Sequence, residues 1–220
     1  MSILPYKVSL VLLLLCSVPL FSSVQYQEID TAEINRQTKE AYIIARRNPD
    51  LSILNSHQAL SISSRASYKK GMADASLALG MAFLARYNPG DSAYYYNTKA
   101  LDLYRELENY QGEARACYAL AYVYSFKGNM SESERFSNLS LDNFKKAGDQ
   151  RGVINAYNSL TYIARQRKDF DRARELVTEA IATARSINDT LPLADSLNSL
   201  GISILIWHSS TRQLIPTLRP

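Results

Sequence analysis

Cysteine and histidine are scarce, with two of each in 220 residues. No CxxC, HExxH, GxSxG or glycine-rich phosphate loop occurs, so the familiar metal, nucleophile and nucleotide motifs are missing. The two histidines, His57 and His208, lie far apart in the chain and read as ordinary side chains. Glycine (8) and proline (7) are too few for a collagen-like or low-complexity chain. Basic residues exceed acidic ones only by 25 to 21, and no dense Lys/Arg run appears, which argues against a nucleic-acid partner. No stretch alternates apolar and polar residues with a period of two, so nothing argues for strands. Against these absences stands one excess: 15 Tyr beside 6 Phe and 1 Trp.

Apolar residues concentrate at the start. Lys7 precedes a run from Val8 to Phe21, and small residues Ser22 and Ser23 follow. A charged start, a short apolar core and small residues after it are the parts of a secretory signal. The run is shorter than the roughly 20 residues a membrane span needs, so residues 1–23 are expected to be a cleaved export signal, with an uncleaved anchor as the alternative. Cys16 is a poor lipoprotein site, because Leu15 stands where a small residue is wanted. Loss of Cys16 leaves only Cys117, which excludes an internal disulfide in the mature chain and is read as a small core hydrophobe. Export without disulfides points to a bacterial periplasm, or the periplasmic face of the inner membrane, as the location.

After residue 30 the chain echoes itself about every 40 residues. Leu120, Leu160 and Leu200 share one column; Ala93, Ser133 and Ala173 share a second; Ala100, Ser140 and Ala180 share a third. A polar or basic residue followed by Gly recurs at Lys70-Gly71, Gln111-Gly112 and Arg151-Gly152. One extra residue falls near Asn88-Pro89-Gly90-Asp91. Each unit reads as two helices. Those of the third are expected over Glu113–Lys127 and Ser131–Ala147, separated by Gly128-Asn129, where glycine can close a helix with positive φ. Those of the fourth are expected over Val153–Gln166 and Phe170–Ile187. Tyr94-Tyr95-Tyr96 falls at the start of a second helix, packed on one side and solvated on the other. Arg46-Arg47 and Lys145-Lys146 read as cationic helix ends opposing the dipole. The fold class is all-α, a solenoid of antiparallel helix pairs.

These columns resemble the tetratricopeptide repeat (TPR) family, whose pattern asks for Leu-Gly, an aromatic three residues on, and two later small residues. The second unit supplies Leu79-Gly80, Phe83, Ala93 and Ala100; the third supplies Leu120-Ala121, Tyr124, Ser133 and Ser140. The fourth supplies Leu160-Thr161, Ala164, Ala173 and Ala180, with Ala in place of the aromatic. The implied organisation is a degenerate first repeat at 24–70, then repeats at 71–111, 112–151 and 152–191. An incomplete repeat and divergent tail follow at 192–220, where no turn appears after Ile202. Either a longer protein is cut inside the fifth repeat or the last helix is a diverged cap. In both cases Ile202, Ile204, Leu205, Ile206 and Trp207 are expected to lack a covering helix.

The resemblance implies a non-catalytic scaffold that binds a protein or peptide segment, without cofactor or metal. In such repeats the first helices line a groove. The positions carried over are Asp74, Leu77, Met81 and Leu84 in the second repeat, then Arg115, Tyr118, Tyr122 and Ser125 in the third. Asn155, Asn158, Tyr162 and Arg165 follow in the fourth, with Asp195 and Asn198 continuing the row. An Asn amide offers a peptide bond both donor and acceptor, and Tyr supplies flat contact area at low entropy cost. Repeats of this length resemble the exported sensor region of bacterial TPR-containing sensor histidine kinases; a free-standing periplasmic adaptor or assembly factor is the alternative.

Overall fold

The structure, a computed structural model, describes residues 30–86 and 90–214, with side chains described as far as residue 206. The export-signal reading and the insertion at 87–89 lie outside the described residues. Within them run nine helices and no strand: α1 (Thr31–Ile44), α2 (Pro49–Arg65), α3 (Lys69–Ala85), α4 (Asp91–Glu106), α5 (Tyr110–Phe126), α6 (Met130–Ala147), α7 (Gln150–Gln166), α8 (Phe170–Ser186) and α9 (Thr190–Leu214).

Three of the expected helices begin earlier than periodicity indicates, because their caps lie further back. Asn109, Asn129, Asp149 and Asp169 each accept a hydrogen bond from the third helical N–H, at Gly112, Glu132, Gly152 and Arg172 (2.9–3.1 Å). An Asx oxygen there satisfies one of the donors that a helix start leaves unpaired. The same four residues also close the helix before. Their own N–H groups donate to the carbonyls of Tyr104, Tyr124, Phe144 and Ala164 (2.9–3.0 Å). That bond needs a left-handed residue just ahead of it, and one is found each time: Glu108, Gly128, Gly148 and Lys168, with Asn188 next in line. These stand 20 residues apart. From α4 onward each 40-residue unit is therefore two near-equal modules of one helix and one tight turn.

The helices form two layers. Each odd-numbered helix touches the next odd one (α1 with α3, α3 with α5, α5 with α7, α7 with α9), whereas the even helices touch only odd ones among the described residues. The odd layer is thus the tighter, inner one. The Ala and Ser columns lie where the layers cross: Ala93, Ser133, Ala173, Ala100, Ser140 and Ala180 are all buried. Ser replaces Ala at two crossings because its hydroxyl is satisfied there. Ser133 donates to the Ala121 carbonyl and Ser140 to the Ala114 carbonyl, both at 2.9 Å. Aromatic pairs fill the same place in successive units, Phe83 stacked on Tyr96 (5.7 Å) and Tyr124 on Phe136 (5.4 Å). Tyr94 and Tyr95 stay exposed beside the half-buried Tyr96.

The recurring polar-Gly pair also gains a reason. A Cβ at Gly112 would overlap the Tyr104 ring, and one at Gly152 would overlap the Phe144 ring. At α4 and α6 the aromatic near the helix end lies directly on the glycine that starts the next odd helix. Gly80 is likewise covered by Asn97 of α4, whereas Gly201, the corresponding residue of α9, has nothing within 4 Å. The outer side of α9 is uncovered as the sequence predicts, with Ile204 and Leu205 exposed. No turn interrupts α9 through Leu214; the side chain of Trp207 lies outside the described ones. No helix among the described residues is long and apolar enough to cross a membrane.

Three outcomes are expected. Gly152→Ala must displace the buried Phe144 ring, so it should cost about 1–3 kcal/mol, the usual range for overpacking, read as a lower urea midpoint at unchanged slope. Lys168→Gly should raise stability by about 0.5–1 kcal/mol, the left-handed penalty less the extra entropy that glycine loses on folding; Gly148→Ala should do the reverse. Cys117 is 1% exposed, and burial pushes its thiol up to about 12, so it should resist iodoacetamide at pH 8 until the chain is unfolded.

Candidate functional site

The inner layer sets where a groove can lie. Side chains of α3, α5, α7 and α9 that point away from the even helices face a common strip, and three cavities open along it. The first, about 310 Å³, has Tyr42, Lys70, Asp74, Leu77, Tyr104 and Arg115 in its wall. The second, about 270 Å³, is lined by Arg46, Met81, Leu84, Ala85, Tyr118, Tyr122 and Phe126. The third, about 440 Å³, includes Tyr122, Phe126, Asn158, Ser159, Tyr162, Arg165 and Ser199. The last two share Tyr122 and Phe126, so a two-ring ridge divides them.

The residues singled out from sequence divide sharply. Tyr122, Asn158, Tyr162 and Arg165 meet around the third cavity. Tyr118 joins Tyr122, its hydroxyl donating to the neighbouring hydroxyl at 3.1 Å with the rings 5.0 Å apart. Burial and the adjacent Tyr122 push the Tyr118 phenol well above its ordinary range, so it stays a neutral donor. Arg115 lies apart, in the first cavity, with its guanidinium 5.8 Å from the Tyr42 ring centre. Asn155 and Asn198 are exposed and line none of the three cavities. At α9 it is Ser199, one residue further on, that reaches the third cavity. Asn158 is not wholly free for a ligand, since its amide lies 3.5 Å from the Ser196 hydroxyl of α9.

The second repeat departs from the expected row. Leu77 and Leu84 are 3% and 9% exposed where α1 packs along α3, so they line their cavities with little surface to offer. Asp74 is already engaged, accepting from the Tyr104 hydroxyl and from Lys70 Nζ, both at 2.6 Å. Several wall residues were missed, Phe126 and Arg46 among them. Phe126 lies one turn after Tyr122 on the same helix face, so helical spacing alone would find it. Arg46 was read as a helix end; it does follow α1, but it also lines the second cavity. It stands in a turn, where helical spacing says nothing.

Arg165 has the most unusual surroundings. Its Nη1 is buried with no hydrogen-bond partner, and its guanidinium carbon lies 6.0 Å from the Tyr162 ring centre. Desolvation lowers its pKa from the ordinary arginine value, which leaves it protonated at neutral pH all the same. Neighbouring arginines differ: Arg135, Arg151 and Arg167 hold Glu132, Asp189 and Glu134 in ion pairs. Among the described residues no three His, Cys, Asp or Glu side chains gather where they would hold a metal ion.

No protein-family model matches the chain, and no curated protein matches it either. Solved structures do. The crystal structure of a Rap protein complexed with competence and sporulation factor superposes with a TM-score of 0.71 at 20% identity, over 86% of this chain and 56% of that one. The chain therefore spans little more than half the length of that relative. BtubC (BKLC) from P. vanneervenii superposes with a TM-score of 0.50 at 14% identity, over 86% of this chain and 93% of that one. At such identities the likeness concerns the fold alone. The nine described helices form a TPR-like helical repeat, similar to these structures in architecture.

Proposed function

We propose that this protein is a non-catalytic scaffold whose inner strip of odd-numbered helices binds an extended protein or peptide segment. The observation that carries the reading is the ridge of Tyr122 and Phe126 between two cavities, with Asn158, Tyr162 and Arg165 on its far side. Tyr122, Phe126 and Tyr162 remain exposed together on this strip, whereas the exposed Tyr94, Tyr95 and Tyr110 line none of its cavities. Exposed amphipathic rings beside a few convergent polar groups are what a recognition surface requires. That the Rap protein was solved in complex with competence and sporulation factor supports the capacity of this architecture to hold a partner.

The finer reading is that the scaffold works on the extracytoplasmic side, as the input region of a signal-transduction protein. It is supported by the signal-like residues 1–23 and by the repeat length. On this view the site assignment comprises Arg115, Tyr118, Tyr122, Asn155, Asn158, Tyr162, Arg165 and Asn198, with Tyr122, Asn158, Tyr162 and Arg165 carrying most of the contact.

Panning a displayed library of random dodecapeptides against the full chain tests the groove. Clones retained by the wild type are expected to lose at least tenfold in affinity with the Tyr122→Ala/Tyr162→Ala pair, as truncation of buried aromatic anchors does at interfaces. Both rings are part-exposed, so the helical circular dichroism should be unchanged. Clones that bind wild type and double variant equally would place recognition elsewhere.

A further inference from the structure

We propose that the third cavity recognises a carboxylate on the bound segment, with Arg165 as its receptor and the Tyr122–Phe126 ridge beside it taking the neighbouring side chain. The inference rests on the groove reading above and specifies its ligand as an acidic peptide.

The argument starts from an unsatisfied donor. A buried guanidinium N–H without an acceptor loses its hydration and gains nothing in return. Arg165 Nη1 is in that position. Its location in the last turn of α7 accounts for a cation there, since the helix dipole favours positive charge at its C-terminus. It does not account for an N–H turned away from both water and protein. The Tyr162 ring offers no substitute: at 6.0 Å it sits at the limit of cation–π range. Asn158 and Ser159 share the cavity wall, and Ser159 is committed to Ser137 at 2.8 Å. No carboxylate among the described residues lines this cavity. The neighbouring second cavity carries Arg46 and likewise no acid.

The chemistry that completes this arrangement is a planar anion. A carboxylate can accept two parallel N–H bonds from a guanidinium, and such charge-assisted pairs are about twice as strong as neutral ones. The low-dielectric wall of Tyr122, Phe126 and Tyr162 strengthens the pair further, because water screens it less. Size agrees. An extended pentapeptide spans at most about 18 Å at roughly 3.3–3.6 Å per residue, so one chain can place a carboxylate at Arg165 and a side chain across the ridge. Asn158, with its amide at the same wall, is placed to meet the backbone of that chain. The carboxylate is an Asp or Glu side chain of the bound segment, and the experiment separates it from the segment's own C-terminus.

Positional-scanning pools of fluorescein-labelled pentapeptides, prepared both C-terminally amidated and as free acids, would be titrated against the full chain by fluorescence polarisation. Asp or Glu pools at one position are expected to bind at least tenfold more tightly than the matching Asn or Gln pools, with the preference collapsing in Arg165→Gln. Arg165→Lys should recover part of it, as a point charge without the planar fork. A preference present only in free-acid pools would assign the C-terminus; one that persists in amidated pools would assign a side chain. Binding without any acidic preference, or a preference untouched by Arg165→Gln with its helical spectrum intact, would overturn the carboxylate receptor and leave the groove standing. Absence of binding in every pool would overturn both.

Discussion

From α4 to α8 the molecule hangs on a chain reversal repeated every 20 residues, in which one Asn or Asp serves two helices at once. Its N–H closes the helix that has ended, and its side-chain oxygen opens the helix that follows. No residues are left over for a loop, so neighbouring helices must run antiparallel and close together. Such a short connection fixes their relative position more firmly than propensity could. The left-handed residue ahead of each Asx is the strained element of the device. Glycine fills it at 128 and 148, while Glu108, Lys168 and Asn188 adopt it at a cost. Helix length, layer order and the strip of inner faces all follow from that spacing.

Packing then fills the frame with few kinds of residue. Where layers cross, Ala or hydroxyl-satisfied Ser lets the backbones approach; where a helix ends, a ring lies on the glycine that starts the next. Each unit touches only its neighbours, so stability is close to a sum of units and interfaces. This makes the two ends of the array unequal. At the start, α1 packs on α3, and Leu77 and Leu84 keep little exposed surface. At α9 the face that α4 covers on α3 is open, leaving Gly201 without neighbours and Ile204 and Leu205 in solvent.

The fold was legible in the sequence because its determinants are local and periodic. Leu120, Leu160 and the Ala/Ser columns had to recur wherever a crossing recurs, and one register reveals them. Helix starts at Tyr110 and Gln150 were placed three residues late because the apolar period does not register a cap; the Asx spacing of 20 does. The site was less legible. Tyr122, Asn158, Tyr162 and Arg165 converge as the repeat positions imply, since those positions fix direction from the helix axis. Asp74 and Leu84 hold the same positions and line cavities of the strip, yet Leu84 keeps little exposed surface and Asp74 is already bonded to Tyr104 and Lys70. Those are tertiary facts, and no single column carries them. Arg46 reaches the strip from a turn, where periodicity ends.

The Tyr excess follows from the same geometry. A two-layer array makes two demands on an aromatic: fill a crossing with apolar area, or present a rigid face to a partner. Phe suits the first, and meets the second at Phe126 only by leaving an apolar ring in solvent. Tyr meets both, because its hydroxyl can be bonded inside, as Tyr104 is to Asp74, or left at the surface, as in Tyr162. Tyr118 and Tyr122 do both at once, one ring half-buried and its hydroxyl handed to the other at the cavity mouth. Such a pair loses little side-chain entropy when a ligand arrives, since each ring turns about only two bonds and one is already held. A rigid aromatic ridge beside an arginine with an idle donor is therefore preorganised on both counts: its apolar wall is already in place, and one N–H group of its cation is already out of water.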